Sequence, residues 1–283
     1  MLEEFKKTIG EWLIPPIFYG TAWKGEQTEP LTLQALNAGF LGIDTANQRK
    51  HYFEEGVGRA IEQFLNQNSK SRSDIFLQSK FTYAHGQDER KPYNEREPFS
   101  IQVLQSFESS LKHLRTHYLD SYVLHGPYYT EGLTAADWEV WRAMEQLQEK
   151  GSVHFLGASN INIEQLRELH QRANVKPHFI QNRCFAVNQW DKDMRSFCQQ
   201  KGIIYQGFSL LTANSFYFNH PCLAEMQEKY GKSKAQLIFC FALQIGILPL
   251  TGTTSQQHMQ DDLNLSFKLS DKEVKEIELI AHL

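Results

Sequence analysis

The chain has 283 residues, of which 29 are Lys or Arg and 33 are Asp or Glu, so its formal net charge is −4. This length suits one large domain or two small ones, and a hydrophobic share of 41% is sufficient for a substantial core, which excludes a disordered chain. The slightly acidic balance argues against a nucleic-acid-binding face, and no apolar run approaches the ~20 residues of a membrane-spanning helix.

The cysteines and the N-terminal segment indicate a reducing compartment. Residues 1–16 carry charges where a secretion signal needs an apolar stretch. Cys184, Cys198, Cys222 and Cys240 form no CxxC pair, which predicts free thiols and no metal site. We therefore expect a cytoplasmic protein with no membrane and no nucleic acid among its partners.

Eight short apolar runs alternate along the chain with longer stretches of helical periodicity. Continuous apolar runs are typical of parallel strands that are buried on both faces. The stretches between them place apolar residues at three- and four-residue spacing, as amphipathic helices do. The predicted strands are residues 17–23, 41–46, 75–81, 119–125, 154–160, 178–184, 203–209 and 247–252. The predicted helices are residues 32–38, 54–65, 100–114, 136–150, 163–173, 192–201 and 234–245.

This alternation indicates the fold class. Eight strand–helix units in 283 residues match the length of a (β/α)8 barrel, or TIM barrel. The alternative is a doubly wound open sheet, which usually has fewer strands and a glycine-rich turn directly after the first strand. Here residues 24–27 follow the first predicted strand and read Lys-Gly-Glu-Gln. We therefore predict a single-domain α/β protein, a TIM barrel that spans residues 1–283.

Ionisable side chains stand at the ends of three consecutive predicted strands. The second strand ends near Asp44, the third at Lys80 and the fourth at His125. Taken singly, each has an ordinary structural explanation: a turn-forming Asp, a Lys that reaches solvent and a hydrogen-bonded structural His. Because catalytic groups in TIM barrels sit at the carboxyl ends of the strands, all three together predict one shared cavity.

Further motifs follow in order along nearly the whole chain, and with them the sequence resembles the aldo-keto reductases. The resemblance implies a TIM barrel that binds a nicotinamide dinucleotide in extended form without a Rossmann domain. The motifs that carry it are residues 42–46 (GIDTA), 51–58 (HYFEEGVG), 77–81 (LQSKF), 120–125 (DSYVLH), 157–160 (GASN), 181–182 (QN), 208–211 (FSLL) and 252–254 (GTT), with Pro249, His258 and residues 261–263 (DDL).

The family's catalytic Asp, Tyr, Lys and His fall by motif on Asp44, Tyr52, Lys80 and His125. The resemblance implies that Tyr52 delivers a proton as general acid, while His125 orients the substrate carbonyl. A free Tyr has a pKa of about 10, so we expect the Lys80 ammonium, held by Asp44, to lower the pKa of Tyr52. One departure stands out: the usual pattern sets Tyr five residues after Asp, where this chain has Arg49.

The resemblance also implies a set of cofactor-binding residues. Phe208 would stack on the nicotinamide, and polar side chains at the ends of neighbouring strands would bind its carboxamide. Residues after the seventh and eighth strands would bind the pyrophosphate and the adenosine. The implied set is Thr21, Ser159, Asn160, Gln181, Phe208, Ser209, Leu210, Leu211, Thr251, Gly252, Thr253, Thr254, His258, Asp261 and Asp262.

The choice between NADP(H) and NAD(H) is open at this point. The resemblance alone favours NADP(H). Relatives that prefer it often carry Lys and Arg near the eighth strand, because Arg binds a 2′-phosphate well. Here residues 247–266 contain neither, and the nearest cations in sequence, Lys232 and Lys234, precede the helix before that strand.

The resemblance implies a small-molecule carbonyl substrate and reduction of aldehydes or ketones to alcohols. Residues 23–24, 82–98, 127–133 and 212–220 would shape the substrate site, and their aromatic side chains suggest an apolar or aromatic substrate. One alternative is a class I aldolase-like barrel with Lys80 as Schiff base. Another is a nucleotide-binding regulatory subunit on the same fold, with little or no turnover. The oligomeric state is not predicted. The aromatic loop residues are Tyr83, Tyr93, Tyr128, Tyr129, Phe216, Tyr217 and Phe218.

Overall fold

Eight parallel strands close into a barrel in this computed structural model, which describes residues 2–282 apart from the side chain of Glu3. The predicted (β/α)8 barrel is therefore confirmed, and the open-sheet alternative is wrong. The two ends of the predicted 1–283 domain, Met1 and Leu283, lie outside the described residues. The barrel strands are β3 (Phe18–Gly20), β4 (Gly42–Asp44), β5 (Phe76–Phe81), β6 (Leu119–Leu124), β7 (Val153–Ser159), β8 (Phe179–Arg183), β9 (Ile204–Phe208) and β10 (Leu248–Thr251).

A short antiparallel hairpin precedes the barrel and was not predicted from the sequence. Its strands are β1 (Lys7–Ile9) and β2 (Trp12–Ile14), with Lys7 opposite Ile14. All the barrel strands except β7 are also shorter than the apolar runs that predicted them. The first pairs only over Phe18–Gly20, because the chain turns away at Trp23, whose φ of 63° is left-handed.

Helices form the outer layer, and the seven predicted ones are present with small shifts at their ends. Three further helices, over Pro221–Tyr230, Gln256–Leu263 and Asp271–Glu278, were not among the predicted ones. Their N-caps carry the usual signals: Ser255 and Ser270 each accept a hydrogen bond from a first-turn N–H group. The helices are α1 (Thr28–Ala38), α2 (Glu54–Asn68), α3 (Phe99–Leu114), α4 (Ala135–Glu149), α5 (Ile163–Arg172), α6 (Lys192–Lys201), α7 (Pro221–Tyr230), α8 (Lys234–Gln244), α9 (Gln256–Leu263) and α10 (Asp271–Glu278).

The inside of the barrel is apolar at one end and polar at the other. Alternate residues of a strand share a face, so Phe76, Gln78 and Lys80 follow one another along the barrel axis. The aromatic end is closed by the hairpin, where the Trp12 ring lies 5.8 Å from the Phe155 ring. The polar end, at the carboxyl ends of the strands, is left for the site. The apolar group consists of Ile14, Phe18, Phe76, Phe155, Phe179, Ile204, Leu248 and Leu250.

Two findings concern thiols and membranes. All four cysteines are buried and unpaired. Over the described part of the chain, every helix is too short or too polar to cross a lipid bilayer.

Helices α2 and α3 approach each other closely at Gly58, which has no side chain to hold them apart. A Cβ at this position would lie 2.1 Å from the main-chain oxygen of His113 and 2.9 Å from Leu114. Backbone atoms cannot move aside as a flexible side chain can. Gly58, which ends the motif of residues 51–58, therefore allows close packing of α2 against α3.

We expect Gly58→Ala to lower the free energy of unfolding by about 1–3 kcal/mol, the usual cost of an overpacked contact. Alanine favours helix formation more than glycine does, so propensity alone predicts the opposite sign. Urea unfolding followed by circular dichroism measures the change. The control is Gln63→Ala, at an exposed position of the same helix, which should stay within about 0.5 kcal/mol of the wild type. A Gly58→Ala protein as stable as that control would contradict the packing argument.

Candidate active site

A cavity of about 890 Å³ opens at the carboxyl ends of the barrel strands. Of the predicted site residues, all but two line it. The exceptions are Lys80, which lies beneath the cavity floor, and Thr21, whose hydroxyl donates to the main-chain oxygen of Asp44 at 3.0 Å. The predicted residues that line the cavity are Asp44, Tyr52, His125, Ser159, Asn160, Gln181, Phe208, Ser209, Leu210, Leu211, Thr251, Gly252, Thr253, Thr254, His258, Asp261 and Asp262.

A buried ion pair forms the base of the site. Lys80 Nζ donates to both carboxylate oxygens of Asp44 at 2.7 Å and to the main-chain oxygen of Thr45 at 2.8 Å. The Lys80 side chain has 0% exposure. Burial lowers the pKa of Lys80, and the charge of Asp44 acts against that shift. With three acceptors around Nζ and no access to the cavity, the structure gives no support to a Schiff-base role for Lys80.

Glutamine side chains from three strands complete the surroundings of this pair. Gln78 and Gln181 donate to Asp44 Oδ1 at 2.7 and 2.9 Å, and both also donate to Gln206 Oε1 at 3.0 Å. The parallel register makes these contacts possible, because Asp44 pairs with Gln78 and Gln181 pairs with Gln206. The sequence analysis predicted Gln181 as a site residue but not Gln78 or Gln206. Both lie within otherwise apolar strands, where a polar side chain can indicate a site.

Tyr52 lies beside the ion pair, and Arg49 does not. Lys80 Nζ is 5.3 Å from the centroid of the Tyr52 ring, and the His125 ring is 5.9 Å from it in an edge-on arrangement. Arg49 is directed away from the cavity, where it pairs with Glu55 and lies 3.2 Å from His113 Nε2. Tyr52 stands eight residues after Asp44 instead of the usual five. This longer loop places Tyr52 in the cavity and Arg49, at the usual tyrosine spacing, outside it.

The ionisation of Tyr52 differs from the expectation based on sequence. Burial raises the pKa of Tyr52 above its usual range, and the negative charge of Asp44 raises it further. We expected the Lys80 ammonium to lower this pKa, but Lys80 is paired with Asp44, and burial and the charge of Asp44 determine the direction of the shift. Tyr52 is consequently a protonated phenol at neutral pH.

His125 is a neutral imidazole. Burial lowers its pKa to about 3, and the positive charge of Lys80 adds to that effect. The Thr82 hydroxyl lies 2.7 Å from Nδ1 and fixes the ring orientation. Asn160 Nδ2 donates to the main-chain oxygen of His125 at 2.8 Å, which ties the ends of two neighbouring strands together.

The cavity contains a lysine that was expected only as part of a substrate loop. Lys24 lines the wall, and its Nζ donates to the main-chain oxygen of Gly252 at 2.8 Å. Burial lowers the pKa of Lys24 to about 8. Lys232 and Lys234 are not among the lining residues. The lysine near β10, the eighth barrel strand, is Lys24, which lies in the loop between β3 and α1.

His51 was not predicted as a site residue and also lines the cavity. Its ring lies 3.6 Å from the Trp23 ring, tilted by 31°, and Nδ1 is buried with no hydrogen-bond partner among the described residues. The pKa of His51 is lowered, mainly by burial. Together Trp23 and His51 form one side of the cavity mouth.

The aromatic side chains of the predicted substrate loops pack on one another. Tyr83 contacts Phe99 and Tyr128 at ring distances of 5.5 and 5.0 Å, and its hydroxyl donates to Asp137. Of the described residues in loops 82–98, 127–133 and 212–220, only Thr212 lines the cavity. The inference of an apolar substrate from these aromatics is therefore not supported.

We expect Lys80→Met to destabilise the protein by about 3–5 kcal/mol, the range for removing one member of a buried ion pair. Asp44 would keep its contacts with Gln78 and Gln181 but lose the neutralising charge. Urea unfolding of Lys80→Met, Asp44→Asn and the double variant checks this. The double variant should be less destabilised than the sum of the two single variants, and full additivity would show that the two residues do not act as a pair.

Comparisons with known proteins agree with this geometry. The profile of the Aldo/keto reductase family matches residues 17–282. An NADPH-dependent alpha-keto amide reductase from Saccharomyces cerevisiae is 31% identical, over 91% of this chain and 83% of that protein. An NAD/NADP-dependent indole-3-acetaldehyde reductase from Schizosaccharomyces pombe is 32% identical, over 86% and 80%. The crystal structure of an aldo/keto reductase from Brucella melitensis, 27% identical, matches with a TM-score of 0.80 over 97% of this chain and 99% of that one. The chain therefore belongs to the aldo/keto reductase family of NAD(P)-dependent oxidoreductases.

Proposed function

We propose that this chain reduces aldehydes or ketones to alcohols, with NADPH or NADH as the reductant and Tyr52 as the proton donor. The main support is the position of the Tyr52 ring, 5.3 Å from Lys80 Nζ and 5.9 Å from the His125 ring, at the cavity floor. The longer loop could have moved the tyrosine out of reach of both residues. Its presence there supports a complete proton-donating site.

Each of the four residues has a state that suits this role. Tyr52 is protonated, so it can give a proton to the oxygen of a carbonyl as the alcohol forms. Lys80, held by Asp44, provides a positive charge next to the phenolate that Tyr52 becomes. When the Thr82 hydroxyl donates to Nδ1, neutral His125 carries its proton on Nε2 and can donate a hydrogen bond to the substrate oxygen.

The residues around the cavity fit a nicotinamide. Asn160 Nδ2 donates to His125 and Ser159, and Gln181 Nε2 donates to Asp44 and Gln206. These bonds use the donors of both amides, which leaves Oδ1 of Asn160 and Oε1 of Gln181 to accept from a carboxamide N–H group. Phe208 would stack on the ring. When bound, the reduced nicotinamide supplies the hydride.

The other end of the cavity, near Gly252, would hold the phosphates and the adenosine. Its charges do not select strongly between NADPH and NADH. Lys24, near Gly252, is a cation that could hold a phosphate, and Arg183, Asp261 and Asp262 also line the cavity. Burial raises the pKa of Asp262 to about 6, so this carboxylate is charged at neutral pH. A 2′-phosphate near two carboxylates is disfavoured, while a ribose hydroxyl could donate to one of them. We therefore propose that both NADPH and NADH are used, with a preference below ~100-fold, or ~2.7 kcal/mol.

We expect Tyr52→Phe to keep the affinity for NADPH and to lower kcat for carbonyl reduction by about 10²-fold or more, the scale of general acid catalysis. Turnover against a panel of aldehydes and ketones measures kcat, and fluorescence titration measures the dissociation constant. The matched control is Tyr118→Phe, at a tyrosine that packs against Arg72 and His154 away from the cavity. Normal turnover in Tyr52→Phe would remove Tyr52 from the acid role. A wild type that binds cofactor but reduces no carbonyl would instead favour the regulatory-subunit alternative.

Lys24 makes cofactor affinity depend on pH. Its pKa of about 8 means that the side chain is charged below pH 8 and neutral above it. We expect the dissociation constant for NADH to rise above pH 8, by up to about tenfold per pH unit. Lys24→Met should bind more weakly at pH 7 and lose this pH dependence, while Lys234→Met should resemble the wild type. Unchanged affinity in Lys24→Met at pH 7 would show that Lys24 does not bind a phosphate.

A further inference from the structure

The loop between β4 and α2 is held from outside the cavity by Arg49. Its guanidinium donates to Glu55 in the first turn of α2, and a second contact joins it to His113 Nε2 on α3 at 3.2 Å. Both side chains of the ion pair are partly buried, with 30% and 27% exposure. The main-chain oxygen of Arg49 also accepts a hydrogen bond from Arg90 at 3.0 Å.

A buried carboxylate fixes the elements to which Arg49 is attached. Glu54, the first residue of α2, accepts hydrogen bonds from Ser79 at 2.5 Å and from Ser110 at 3.0 Å, and its Oε2 lies 3.1 Å from His113 Nδ1. Ser79 directly precedes Lys80 on β5. His113 is therefore in contact with both Glu54 and Arg49. These contacts link Arg49 to β5, the strand that carries Lys80.

The turn between Arg49 and Tyr52 is tight. The N–H groups of His51 and Tyr52 both donate to the main-chain oxygen of Gln48, at 3.1 and 2.9 Å, and Trp23 N donates to the main-chain oxygen of His51 at 2.7 Å. Arg49 and Tyr52 lie on opposite sides of this turn. Only two residues separate Arg49 from Tyr52, so a shift of Arg49 would also move Tyr52.

We propose that Arg49 is a positioning residue, whose contacts with Glu55 and His113 hold the turn so that Tyr52 lies against Lys80 and His125. The inference rests on the proposed function, because Tyr52 is taken as the proton donor. Both contacts come from one guanidinium nitrogen, Nη2, so the point charge of a lysine ammonium can replace them only in part. Arg49 itself does not touch the cavity, so its effect on the reaction is indirect.

The test compares Arg49→Met and Arg49→Lys with the loss of another arginine that pairs with a glutamate of α2. Arg115 pairs with Glu62 of α2, and both residues are exposed and distant from the loop, so Arg115→Met is the control. We expect Arg49→Met to lower kcat by about 10- to 100-fold, because a misplacement of ~1 Å can cost 10²-fold. KM for the carbonyl and the dissociation constant for NADPH should change less than about threefold. Arg49→Lys should have a kcat between those of Arg49→Met and the wild type. Arg115→Met should keep the wild-type kcat.

A second measurement does not depend on turnover. Hydrogen exchange of residues 45–53 should be faster in Arg49→Met than in the wild type and unchanged in Arg115→Met. If Arg49→Met does not fold, Glu55→Gln removes the same ion pair with little change in shape and should show the same pattern. Wild-type kcat in whichever of the two variants folds, or a rise in KM at constant kcat, would overturn the proposal. A wild type without carbonyl turnover refutes the proposed function instead, and the exchange result then decides whether Arg49 holds the loop.

Discussion

The buried pair of Asp44 and Lys80 is the interaction on which the site depends. A charge inside a barrel is costly unless it is paired and hydrogen-bonded, and here every donor and acceptor around it comes from the barrel wall. Three strands supply glutamine side chains, and the main chain at Thr45 supplies the last acceptor for Lys80. The same pair determines the states of its neighbours. The negative charge of Asp44 helps keep Tyr52 protonated, and the positive charge of Lys80 helps keep His125 neutral.

The barrel can accommodate this polar cluster because its two ends differ. Aromatic and aliphatic side chains fill the end that the hairpin closes, and that packing supplies the apolar burial that the polar end lacks. Alternation along each strand then changes the inward-facing residues from Phe76 to Gln78 to Lys80 within five positions. The apolar part of the core and the polar part are thus two layers of one barrel.

The β4–α2 loop shows how a longer connection can still place a tyrosine beside the buried ion pair. The extra residues form a turn on Gln48 O, which directs Arg49 outward and Tyr52 inward. The outward side is stabilised by charged partners on α2 and α3, and the inward side is covered by packing against His125. The residues that hold the two sides lie outside the loop, and the tyrosine reaches the cavity although it stands eight residues after Asp44.

The sequence by itself determined the barrel, because eight apolar runs at regular spacing leave few other ways to bury both faces of a parallel sheet. It also identified the residues at the strand ends, since that position brings them to one edge whatever the details. It could not determine the hairpin or the true strand ends, which depend on hydrogen bonds between distant segments. Nor could it show that Lys24 reaches Gly252, that Gln78 and Gln206 meet at Asp44, or that the loop aromatics pack on one another. Those contacts join residues far apart in the chain, and only the closed barrel brings them within bonding distance.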